Sequence, residues 1–248
     1  MLPPFQSDAL GQAAGAVAAP SYSAALLRCT GFAESVASEI RMAGPSATRT
    51  EHSGRAGLLQ VRAVPVTGGL DFEAWYDTLA VWRDGPEGRL VPETDGLIGG
   101  RWRGSLGPAG AATIQASPFM PPDMLPVADL STVLADFFPS LPPRPLASGE
   151  SWSDDDGHQI TRRPDHDGVW SFEWKIDRAR PLSTGAVGGE RIREVGHVIW
   201  RDGVGLESWQ RQITVDIEAR RSLESGSSLR SRVTQSISVT RITESACQ

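Results

Sequence analysis

The sequence predicts an all-β protein: a strongly curved antiparallel sheet with one short helix. Three observations carry this. Apolar residues recur at every second position along most of the chain, turn-forming residues interrupt these runs, and a single segment has helical spacing instead. The length of 248 residues lies within the about 200–250 that all-β folds reach as one domain. Hydrophobic residues at 40% and charged residues at 22% supply an ordinary globular core.

Taken in order, residues 1–20 are rich in Ala, Gly and Pro and read as a flexible leader, as in a mature chain whose export signal has been removed. Residues 21–248 read as one domain. Strands are expected at about 22–42, 47–64, 70–83, 88–93, 99–106, 111–117, 150–162, 168–179, 188–201, 205–221 and 228–242. The clearest is 208–220, where Trp209, Arg211, Ile213, Val215 and Ile217 alternate with Gln210, Gln212, Thr214, Asp216 and Glu218. Trp170, Phe172, Trp174 and Ile176 alternate with Ser171, Glu173, Lys175 and Asp177, and Leu70, Phe72, Ala74 and Tyr76 do so with Asp71, Glu73 and Asp77, Trp75 intruding on the polar face. Strands with one wet face belong to antiparallel sheets. Hairpins this long imply strong curvature, because wide flat sheets are unusual. A helix is expected at about 128–138: Leu130, Val133, Leu134, Phe137 and Phe138 recur at helical spacing, with Asp129 as N-cap and Pro139 as stop. Pro-rich segments flank it and are expected to lie across the sheet.

Composition excludes several functions. A net charge of −6 and a pI near 5.3 leave no basic footprint for nucleic acid. No apolar run reaches the length of a membrane helix, so membrane association is expected only through an N-terminal anchor missing from this chain. An exported chain could bridge Cys29 to Cys247; the alternative reading packs Cys29 as a small hydrophobe and leaves Cys247 in solvent. Nucleophilic catalysis lacks its motifs: there is no Gly-x-Ser-x-Gly elbow, and Gly96-Leu97-Ile98-Gly99-Gly100 lacks a phosphate-loop lysine. Asp154, Asp155, Asp156, His158, Asp165, His166 and Asp167 are suitable donors for a cation, but their spacing matches no established loop and equally suits solvated turns. No catalytic residue, metal or cofactor is expected, and the chain is not expected to be an enzyme.

The eight tryptophans either build the core or line a concave apolar surface that the helix partly covers. The second alternative makes Trp102, Leu134, Phe137, Phe138, Trp170, Phe172, Trp174 and Trp209 candidate ligand-binding residues.

The run Phe137-Phe138-Pro139-Ser140-Leu141-Pro142-Pro143-Arg144-Pro145-Leu146-Ala147-Ser148-Gly149-Glu150-Ser151-Trp152 is similar to an F-P-x-L-P-x-x-P-x-x-x-G-[DE]-x-W signature of bacterial envelope proteins and lipoproteins. Those proteins in turn resemble the LolA-like half-barrel lipoprotein-carrier superfamily. The resemblance implies a half-barrel capped by a helix and Pro-rich segments, a periplasmic, cell-envelope or secreted location, and the handling of lipid or lipoprotein acyl chains. It implies no catalytic residues. Three readings follow: a carrier of a hydrophobic ligand, a structural or interaction protein of the envelope with a filled core, and a metal-dependent hydrolase.

Overall fold

In the computed structural model the described residues are 18–44, 47–122, 124–125, 127–128, 130–131, 133–134, 137–154, 156–166, 168–182, 187–220 and 228–242. Their strands are β1 (Thr30–Ala43), β2 (Thr48–Val66), β3 (Gly69–Gly85), β4 (Gly88–Leu90), β5 (Trp102–Leu106), β6 (Ala112–Ala116), β7 (Ser151–Ser153), β8 (Gln159–Arg163), β9 (Val169–Pro181), β10 (Val187–Arg201), β11 (Gly205–Arg220) and β12 (Ser228–Ile242). All strand pairings are antiparallel, in the order β6-β5-β3-β2-β1-β12-β11-β10-β9-β8-β7, with β4 on β3. The sheet curls without closing, and the first and last strands meet at its middle, Gly31 opposite Ile242.

The alternation read from sequence is realised in the register. Paired residues share a face of the sheet, and the face that carries Phe32, Leu59, Phe72, Phe172, Trp209 and Val239 is the inner one, where these side chains are buried. The connection 117–150 joins β6 to β7 at opposite edges of the sheet, and its described residues pack onto this face. Met124, Leu130, Leu134, Phe137, Phe138 and Leu141 from it are buried. Phe137 meets Phe32 and Trp209 edge-on at 5.4 and 6.4 Å, and Phe138 meets Phe72 and Tyr22 at 5.6 and 5.5 Å. The Trp102 indole N–H donates to the Leu130 carbonyl at 3.3 Å.

Three expectations need correction. Among the described residues of 128–138 there are turns and no helix: the Val133 and Phe137 amides reach back three residues, to Leu130 and Leu134, at 3.3 and 3.4 Å, and Asp129, the expected cap, lies outside the described residues. Each aromatic anchor of this segment has its own pocket to fill, and successive turns deliver them there. The strand expected at 150–162 is two strands, because the Asp154 carboxylate accepts the His158 amide at 2.8 Å and Gly157 takes φ +81°, a left-handed turn. The strand expected from residue 22 starts at Thr30: the Leu26 and Leu27 amides close a turn on Ser23 O. Of the expected leader, residues 1–17 lie outside the described residues, while Pro20 is already buried. Trp75, on the polar face of β3, is buried outside the sheet by Arg101, whose guanidinium lies 3.5 Å over its ring.

Candidate functional site

The described residues of the connecting segment fill one end of the inner face. Beyond it, among the described residues, the long strands continue as an open trough. A row crosses four of them, Ile40 opposite Val233, Val233 opposite Val215, and Val215 opposite Ile192; all four are half-buried, as are Ile213, Ile217 and Ile237 on the same face. From Trp209 to Ile217 the trough runs about 27 Å, at ~3.4 Å per residue. Where it meets the filled end there is a cavity of about 700 Å³, walled by Phe138, Leu141, Trp152, Ile160, Trp174, Ile176 and Trp209, with Asp154, Asp156, His158, Arg178, Glu194 and Arg211 among its polar lining.

Glycine shapes this wall. A Cβ on Gly196 would stand 2.0 Å from the Trp174 ring, so the missing side chain is what lets the indole lie against β10. From there the Trp174 N–H donates to Glu194 Oε1 at 2.7 Å. Glu194 is buried and also accepts from Arg211 at 2.9 Å and lies 3.3 Å from His158 Nε2. The other ring nitrogen of His158 lies 2.9 Å from Asp154. With a carboxylate on each nitrogen, both nitrogens act as donors and the imidazolium is favoured. The Glu194 bond, with Asp154 adding to it and burial opposing, accordingly raises the His158 pKa. Burial by itself would raise Glu194, but the bonds from His158, Arg211 and Trp174 outweigh it and bring its pKa down to about 2.

Two further glutamates face inward among apolar residues, each held by arginine. Glu34 takes Arg55 through both oxygens at 2.7 and 3.1 Å and the Tyr76 hydroxyl at 2.5 Å. Glu51 takes Arg49 at 2.6 Å and Arg83 at 2.5 Å. Buried charges persist only when paired in this way.

The eight residues singled out by sequence fall into two groups. Trp102, Leu134, Phe137, Trp170 and Phe172 are packed in the core at the filled end. Phe138 and Trp209, buried in the same core, also wall the cavity, together with the half-buried Trp174 and Trp152. The aliphatic row and the inward charges lie outside that set. Their signal was the alternation itself: Arg178 follows Trp174 and Ile176 on one face, and Arg211 stands between Trp209 and Ile213. The acidic cluster also divides. Asp154, Asp156 and His158 bring donor atoms within 4.8 Å of one another, whereas Asp165 is 2.9 Å from Arg162 and takes no part; Asp155 and Asp167 lie outside the described residues. His158 is committed to two carboxylates, so the arrangement works as an ion-pair strap from the β7–β8 hairpin to β10.

Cys29 is disulfide-bonded, and the sequence has one other cysteine, Cys247, outside the described residues. No protein family matches the chain, and comparison with curated proteins finds no relative.

Proposed function

We propose that this protein is a non-enzymatic carrier of the cell envelope that shelters a hydrophobic ligand, a lipid or an acyl chain, in the open half of its inner face. The observation that carries this reading is the half-buried row Ile40–Val233–Val215–Ile192, continuous with a cavity whose wall includes three tryptophans. An aliphatic trough that the described residues leave uncovered is the environment that takes apolar chains out of water. Its size suits the role, since ligand cavities run about 300–1,000 Å³. The disulfide of Cys29 supports an exported location, because such bonds persist in oxidising compartments. The likeness to half-barrel lipoprotein carriers belongs to the same proposal, and the concave face that the described residues leave open supports it.

The filled end of the sheet favours a second reading, that of a structural envelope protein. One experiment separates the two. The protein is purified from a bacterial periplasm under gentle conditions and its native mass is recorded, beside a Val215→Asp variant. A carrier shows excess mass released by organic solvent and identified as lipid, and the variant loses it. A bare mass that stays bare after incubation with envelope lipids assigns the structural role.

A further inference from the structure

The inward-facing arginines of the long strands share a pattern, and one of them breaks it. Arg55 is held by Glu34, Arg49 and Arg83 by Glu51, Arg180 by Glu190, Arg211 by Glu194, and Arg241 by the Val204 carbonyl. Arg178 points to the same side, two residues beyond Ile176 and opposite Ile192 in the register, and it lines the cavity with Trp174. Among the described residues it has no hydrogen-bond or ion-pair partner. It therefore stands at the end of the aliphatic row as a guanidinium without an acceptor. Trp209, in the same cavity wall, has a buried indole N–H that also lacks an acceptor. Two donors are in place beside an apolar trough, and nothing in the described protein answers them.

Resting on the carrier reading, we propose that the trough takes an acyl chain ending in an oxyanion, the chain lying along Ile192, Val215, Val233 and Ile40 and the oxyanion on Arg178. A planar guanidinium pairs two of its N–H groups with a carboxylate or phosphate. The neighbouring carboxylates do not cancel it: Asp154 is engaged by His158, and Glu194 by Arg211, His158 and Trp174. Asp156 sits exposed at the rim, where water screens it. The oxyanion has two sources, a free fatty carboxylate and the phosphodiester of a phospholipid.

The test uses the whole purified chain, delipidated, with laurate, with the uncharged dodecanol, and with phosphatidylglycerol vesicles. Calorimetry is expected to show laurate binding about tenfold tighter than dodecanol, the scale of one charge-assisted hydrogen bond. Arg178→Ala removes that advantage, bringing laurate to the affinity of dodecanol, and Arg178→Lys keeps part of it. Arg178 is exposed, so unchanged melting of the variants separates this loss from misfolding. Extraction of phosphatidylglycerol by the wild type and not by Arg178→Ala assigns the phosphodiester; laurate binding without extraction assigns the carboxylate. Equal affinity for laurate and dodecanol, or an Arg178→Ala variant that binds laurate as before, overturns the oxyanion while the carrier reading stands. Failure of the folded protein to bind any of the three overturns both.

Discussion

At Gly196 the inner face carries no side chain, and the Trp174 ring takes the space. A methyl group there has to push the indole off β10 and away from Glu194, because the alternative is a 2.0 Å contact with a rigid ring. Gly196→Ala is expected to destabilise the protein by about 1–3 kcal/mol, the usual cost of overpacking, with an altered tryptophan emission spectrum. Phe137 is the complementary case. It is 1% exposed and wedged between Phe32, Phe138 and Trp209, so Phe137→Ala should cost about 3–5 kcal/mol in urea unfolding. Phe119, 79% exposed just upstream, is the control: its replacement by Ala should stay within about 0.5 kcal/mol. Similar losses at both positions would contradict the packing described here.

Among the elements, the β7–β8 hairpin depends most on charge. It is short, lies at the sheet edge, and is tied to β10 through His158 and Glu194. The folded pKa of His158 lies above the unfolded value of 6.5. Its contribution is therefore complete below pH 6.5 and fades as pH rises through the raised folded value. Glu194 works in the opposite sense. With a folded pKa of about 2 against 4.5 unfolded, its contribution is present above 4.5 and is lost as pH falls toward 2. Amide exchange in β7 and β8 should thus be slowest in mildly acidic solution and should quicken toward alkaline pH, and His158→Gln should flatten the alkaline limb. A hairpin whose exchange follows the rest of the sheet across that range would refute the strap. The same element shows how far sequence reading reaches. The alternation of Trp170, Phe172, Trp174 and Ile176 was enough to place β9 and its inward face. The break at Asp154 was not legible, since it depends on a side chain capping its own turn. Nor was the course of 128–138: Leu130, Leu134 and Phe137 have helical spacing, but a short isolated helix is only marginally stable, and packing against Phe32 and Phe72 decides the backbone instead.

For the whole molecule, the antiparallel all-β sheet and its curvature were legible because each long strand carries its own two-faced pattern. The division of the inner face into a filled and an open half was not. It depends on how far one connecting segment reaches along strands of 13–19 residues, a long-range fact that no local window contains. For the same reason, seven of the eight apolar candidates lie in the buried core, Trp174 being the half-buried exception, and the row from Ile40 to Ile192 became visible only when the register joined four strands. The inward glutamates were in plain view as carboxylates on apolar faces, but apart from Arg49 their arginine partners sit on neighbouring strands.

The meeting of β1 and β12 at the centre of the sheet also governs the order in which this chain can be finished. Every other neighbouring pair joins strands close in sequence, whereas Gly31 waits for Ile242. As the polypeptide emerges from the ribosome, the first meander can form early, but the edge of β1 stays unpaired until β12 is released. Contacts of such separation make folding slow, and an unpaired edge invites association with other chains. The central seam is thus obliged to stay open until β12 has been made, however early the first meander folds.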